Sequence, residues 1–180
     1  AATEYARKID TFLTAREQSV LSKLIALGGS SEEESFEVQV KVKVADTKSV
    51  FEGLKNPSIE IIRKRHYHQH DMYFFFEDDS QGRLRYREDD FIDEANQVTS
   101  VRGRLTLLGV QREGSFGHDI LLSRSRYLAP ATHSLRFYRE YFKPDKELPV
   151  EKDRLRWLVA FKGEEFFINL DHLLQPDLGN

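Results

Sequence analysis

Basic side chains recur at every second position in several short stretches of the sequence. Arg83, Arg85 and Arg87 form one row, Arg102 and Arg104 (with Thr106) a second, Arg124 and Arg126 a third, and Lys152, Arg154 and Arg156 a fourth. An earlier stretch, Glu37, Gln39, Lys41 and Lys43, sets a carboxylate into the same spacing. On a β-strand, residues i, i+2 and i+4 share a face, so each row concentrates its charge on one side. Arginine presents paired N–H donors that match phosphate oxygens, and lysine a mobile point charge. Rows of cations facing one another would repel unless a polyanion lay between them. A few carboxylates on the same lining would hold Mg²⁺ or Mn²⁺, hard ions that take oxygen ligands and bridge phosphates. In the other reading each ionic face meets water, and the apolar faces pack together in an ordinary sandwich. The residues alone leave both arrangements open.

The elements that must carry these rows follow from the apolar pattern. Phe36, Val38, Val40, Val42 and Val44 alternate with the polar row, which predicts a strand over 36–44. Further strands are expected near 59–65, 67–77, 83–88, 101–108, 119–127, 152–161 and 165–170, with a turn at Lys162-Gly163 and an acidic loop from Glu88 to Gln97. Tyr5, Ile9, Phe12, Val20, Leu24 and Leu27 fall near one helical stripe, so 3–27 reads as a long N-terminal helix closed by Gly28-Gly29. A polar linker (30–35) then leads into the body, giving an N-terminal segment 1–35 and a domain 36–180. Asp46 is placed to cap a short helix through Val50, Phe51 and Leu54. The stretch 132–142 is compatible with helix or strand.

Bulk properties narrow the classes. The 27 basic and 30 acidic residues leave a net charge of −3, without the basic excess of a general nucleic-acid binder. No apolar run is long enough to cross a bilayer, so no membrane partner and a cytoplasmic location are expected. The absence of cysteine removes disulfides and thiolate metal sites. The 13 Phe and 7 Tyr supply a core despite the high charge.

Six segments, in order, resemble the motifs of the CYTH superfamily, the triphosphate tunnel metalloenzymes. Glu37-Val-Gln39-Val-Lys41 is similar to the opening E-x-E-x-K strand. Gln69-His-Asp71-Met-Tyr73-Phe74 resembles Q-x-D-x-Y-F, and Leu84-Arg85-Tyr86-Arg87-Glu88 resembles L-R-x-R-E. Leu105-Thr106-Leu107-Leu108-Gly109 sits where the family has L-T-x-K-G. Lys152-Asp-Arg154 is similar to the late K-x-R strand, and Leu170-Asp171 with Leu178-Gly179 to the L-D…L-G segment.

The resemblance implies an α+β fold: a closed antiparallel eight-stranded β-barrel tunnel with flanking helices. It implies a metal-dependent phosphohydrolase acting on a tri- or diphosphate, whether inorganic triphosphate, a nucleotide or thiamine triphosphate. A non-catalytic polyphosphate- or nucleotide-binding regulatory module and a class IV adenylate cyclase are the alternatives within the family. Carried over by position, Glu37 is the metal-binding and catalytic carboxylate and Lys41 a catalytic cation, while Lys43, Arg85, Arg87, Arg124, Lys152 and Arg154 would grip phosphate. Mg²⁺ or Mn²⁺ is the implied cofactor. The implied partners are a phosphate-rich small molecule and a fused or associated kinase-like domain; the long N-terminal helix also suits a dimerisation arm, so a homodimer is a further expectation. The sequence departs from the pattern at Gln39, which replaces the second glutamate, at Leu108, which stands where a lysine is usual, and at Arg126, where many members are acidic. The family's closing strand, with its E-x-E carboxylates, would follow Asn180.

His66, His68 and His70 alternate on the strand face opposite Gln69 and Asp71. Such spacing can bind Zn²⁺, although surface or helix-contact histidines are the commoner outcome. No glycine-rich phosphate loop and no hydrolytic triad is legible.

Overall fold

The computed structural model describes residues 19–29, 36–40, 42–78, 82–108 and 120–175, without the side chains of 36–39 and 120–127. Among the described residues there are seven strands, β1 (Phe36–Val40), β2 (Ile59–Phe75), β3 (Arg83–Ile92), β4 (Val98–Leu108), β5 (Ile120–Pro130), β6 (Lys146–Phe161) and β7 (Glu164–Gln175). Each is antiparallel to its neighbours, in the order β1-β5-β4-β3-β2-β6-β7. Six long strands form the continuous sheet, and short β1 is added at one edge, pairing only with Ile120–Arg124 of β5. The helices are α1 (Val20–Ala26), α2 (Thr47–Gly53) and α3 (Leu135–Phe142).

The expected closed eight-stranded tunnel is not formed. Closure requires the two outer strands to pair, whereas among the described residues β1 pairs only with β5 and β7 only with β6, so the sheet is open. The strand predicted over 36–44 stops at Val40, and Val42, Lys43 and Val44 are exposed outside any strand. Period-two alternation specifies a strand conformation, but a ladder also needs a partner of matching length.

The long N-terminal helix is also corrected. Ser19 is extended (φ −57°, ψ 154°) and its hydroxyl accepts from the Ser22 amide, so it is an N-cap and α1 begins at Val20. Residues 1–18 lie outside the described residues. The expected stop is present: Gly28 has φ 84°, Gly28 N–H donates to Ile25 O at 3.0 Å, and Gly29 N–H donates to Leu24 O at 3.0 Å. That pair of bonds is a Schellman closure, in which glycine supplies the left-handed residue. Asp46 caps α2 as its position predicts, accepting from the Lys48 amide at 3.0 Å. Lys162 and Gly163 both have positive φ (51° and 85°), the conformation of a tight hairpin turn between β6 and β7. The predicted acidic loop is shorter than expected: Glu88 to Ile92 continue β3, and the turn is confined to 93–97, where Asp93 Oδ1 accepts from the Ala95 and Gln97 amides. Residues 135–142 are helical.

The helices cover one face of the sheet at two separate places. Val20 and Leu24 of α1 and Tyr138 and Phe142 of α3 pack with Phe74, Leu84, Tyr86, Leu105 and Leu107. Tyr141 Oη donates to Lys23 O at 3.2 Å, tying α3 to α1. Each fully buried aliphatic here contributes about 1.5–3 kcal/mol. A second cluster joins Val50 and Leu54, at the end of α2, to Leu155, Trp157, Val159, Ile168 and Leu170. Between these apolar pads the same face carries His66, His68, His70, Asp90, Glu151 and Asp153. The opposite face carries the rows of arginine and lysine.

Candidate anion-binding face

Cross-strand register brings the basic rows together. Arg87 pairs with Asp71 of β2 and with Arg104 of β4. Asp89 pairs with Gln69 and Arg102, and Arg85 with Tyr73 and Thr106. On the other side of β2, Gln69 pairs with Lys152 and Tyr67 with Arg154, which in turn faces Asp171 of β7. Paired residues share a face, so one ionic layer runs from β4 through β3, β2 and β6 to β7. The buried polar residues of the described chain, Gln69, Asp71, Arg87, Asp89, Thr106 and Lys152, all belong to this layer. It is the face without a described helix.

The layer is organised around three carboxylates. Arg87 donates through Nε and Nη2 to the two oxygens of Asp71 at 2.5 and 2.6 Å, and Lys152 Nζ lies 3.6 Å from Asp71 Oδ2. Arg154 makes the same forked pair with Asp171, at 2.5 Å on both oxygens. Asp89, fully buried, accepts from Gln69 Nε2 at 2.5 Å, Arg102 Nη2 at 2.9 Å and Arg104 Nη2 at 3.0 Å. Burial alone would raise these three carboxyls. For Asp71 the Arg87 bonds and charge outweigh it, for Asp89 Arg102 and Arg104, and for Asp171 Arg154, so each is held below the ordinary range.

The cations outnumber their partners. Arg85 is paired with no carboxylate among the described residues; Nη2 reaches Thr106 Oγ1 at 3.5 Å, and its buried Nε has no hydrogen-bond partner. Arg104 Nε is likewise buried without one. Burial and then the neighbouring Arg87 push Arg85 below its usual range. Lys152 carries the clearest strain: burial first, then the charges of Arg87 and Arg154, bring it from 10.5 down to about 8, against the pull of Asp71 and Asp171. A carboxyl-rich ligand or a phosphate chain would supply the negative charge that this layer lacks.

Of the expected site residues, Arg85, Arg87, Lys152 and Arg154 converge in the layer. Lys43 is exposed and away from any strand. Glu37 stands opposite Ser123, and Arg124 opposite Phe36, in the β1–β5 ladder; their side chains lie outside the described residues, as does Lys41 altogether. Arg102, Arg104, Asp89 and Asp171 were not among the expected ligands. The alternation that marks Arg85 and Arg87 runs on to Asp89, which is the signal that could have found it.

The implied Mg²⁺ or Mn²⁺ needs carboxylate oxygens that are not already committed to cations. Both oxygens of Asp71 and of Asp171 accept from a guanidinium, and Asp89 is shared by three donors. These three carboxylates do not fit a divalent ion. No protein-family model, curated protein or solved structure matches the chain. No described helix is long and apolar enough to cross a membrane.

Proposed function

We propose that the ionic layer binds a linear phosphate chain, inorganic or carried on a nucleotide or thiamine, and that hydrolysis of the bound chain is the activity. The observation that supports binding is the surplus of cations in the layer: Arg85 without a carboxylate partner among the described residues, Arg104 with a buried Nε–H that has no partner, and Lys152 brought to about 8 by burial and then by Arg87 and Arg154. A phosphate chain presents several negative oxygens at short intervals and can meet donors on adjacent strands together. Arg87 and Arg154, locked by Asp71 and Asp171, would fix the walls, while Arg85, Arg104 and Lys152 would supply the contacts. Phosphoryl transfer asks a protein chiefly for positioning and charge neutralisation, both of which this layer can provide. The hydrolytic part rests on the resemblance of the 37–41 segment and its Glu37 to CYTH sequences. A regulatory binding module is the second reading, favoured by the commitment of Asp71, Asp89 and Asp171 to cations.

Calorimetry with tripolyphosphate, ATP and thiamine triphosphate tests binding, and phosphate release with Mg²⁺ or Mn²⁺ tests turnover. Saturable binding with release supports a hydrolase, and binding without release a regulatory module. Cyclic AMP formed from ATP would replace hydrolysis by cyclisation. Failure to bind any of these anions overturns the proposal.

A further inference from the structure

We propose a second site, on the opposite face of the sheet: a divalent transition-metal site of the zinc class formed by His68, His70 and Asp90, beside Glu151. One ligand atom from each of His68, His70 and Asp90 can be chosen so that all lie within 4.8 Å of one another. Individual separations are tighter. His70 Nε2 lies 3.7 Å from Asp90 Oδ2, His70 Nδ1 lies 3.6 Å from Glu151 Oε1, and His68 Nε2 lies 3.0 Å from Glu151 Oε1. Zinc–nitrogen and zinc–oxygen bonds of about 2.0–2.2 Å in a tetrahedron set neighbouring ligand atoms about 3.3–3.5 Å apart. The His70 Nε2–Asp90 Oδ2 separation lies close to that edge, while Glu151 meets the other nitrogen of the His70 ring and so stands beside the three-ligand set.

Hydrogen bonding does not account for the cluster. His68 Nε2 and Asp90 Oδ1 are buried and make no hydrogen bond, even though a Glu151 oxygen stands 3.0 Å from His68. The 3.6 and 3.7 Å contacts of His70 are too long for one. The neighbouring His66 shows the contrast. Its Nε2 meets Asp153 Oδ1 at 2.7 Å, the ordinary outcome when an imidazole needs only a carboxylate. Buried ligand atoms left without a hydrogen-bond partner are what a cation would use.

The fold makes the arrangement rigid. His68 and His70 alternate on β2, Asp90 sits directly across from His68 on β3, and Glu151 directly across from His70 on β6. The cluster lies between the two apolar pads. The side chains keep 19–42% of their exposure, so solvent reaches the site. Two imidazoles with carboxylates and no thiolate suit Zn²⁺ or its first-row neighbours better than Mg²⁺, which prefers oxygen alone.

The test uses the untagged full chain, with Zn²⁺ as the probe competed against a chromophoric chelator. The expected result is one equivalent bound, a rise in unfolding temperature with Zn²⁺ but not with Mg²⁺, and a loss of affinity of about 100-fold or more in His70→Gln. His70 is the most exposed of the three ligands, and the metal-free unfolding transition checks that the variant is folded. Asp90→Asn serves as an independent second variant and should lose affinity as well. Failure of the wild-type chain to take up Zn²⁺ stoichiometrically, or uptake unchanged in both variants, overturns the proposal. Because the cluster faces away from the arginine layer, loss of phosphate binding would leave this result untouched.

Discussion

Lys152 offers the sharpest quantitative consequence of the cation layer. Its ammonium titrates near 8 instead of 10.5, because burial and then Arg87 and Arg154 disfavour the charge. That displacement corresponds to about 3 kcal/mol. A phosphate chain beside Lys152 would return the amine toward its ordinary value. In the free protein the amine is then about nine-tenths charged at pH 7 and about one-tenth charged at pH 9, whereas in the complex it is charged throughout. Affinity for tripolyphosphate should therefore fall about 10-fold between pH 7 and pH 9, or about 1.4 kcal/mol. Lys152→Met should bind more weakly at pH 7 and lack this component. The ligand's own ionisation acts on both proteins and cancels in the ratio of their affinities. Isothermal titration at both pH values reads it directly. A wild-type-to-variant ratio that stays constant across the range would refute the reasoning. The same lowered value has a stability consequence of definite sign. Between about pH 8 and 10.5 the unfolded chain holds the proton more often than the folded one, so stability gains from this group as pH rises.

Other outcomes follow from the same layer. Asp71→Asn removes the negative charge and one of the two oxygens that accept from a buried arginine, and urea denaturation should show a loss of about 3–5 kcal/mol. Asp71, Asp89 and Asp171 have lowered values, so their stabilisation is complete above the unfolded carboxyl value of 3.8 and is lost as pH falls below it. Urea midpoints should accordingly be steady from pH 7 to 5 and drop steeply below 4. Arg85→Gln removes a cation with no carboxylate partner, so the unfolding midpoint should hold while tripolyphosphate affinity drops about 10–100-fold, as expected for a charged hydrogen bond. Gly103→Ala would place a Cβ 2.6 Å from Ala131 O, beside the Ala131 N–H to Gly103 O bond. A thermal melt should register about 1–3 kcal/mol of destabilisation.

Local structure was legible where one residue dictates it. Asp46 as a cap, Gly28-Gly29 as a helix stop and Lys162-Gly163 as a turn each follow from the conformational preference of that residue. The rows Arg85–Arg87 and Lys152–Arg154 were legible because strand alternation needs no partner to be read. What failed depends on pairing over distance. Whether a sheet closes is decided by which strands meet at its edges, and the valines of 36–44 carry no information about a partner. Ser19 interrupts an apolar stripe that otherwise runs on at helical spacing, and its capping role is visible only from its extended backbone. Asp89 reads in sequence as part of an acidic loop; only the register with Gln69 and Arg102 turns it into the buried centre of a cation cluster. The histidines were placed correctly on the face opposite Asp71, but Asp90 and Glu151 come from other strands and could not be assigned to them in advance.

The most direct measurement is a tripolyphosphate titration followed by the side-chain Nε–H resonances of the arginines in a ¹⁵N-labelled sample. The account predicts saturable shifts for Arg85 and Arg104, whose Nε–H groups are buried without a partner, with the Nε–H of Arg139 on α3 unmoved. Shifts centred on α3, or no saturable change at any arginine, would contradict it.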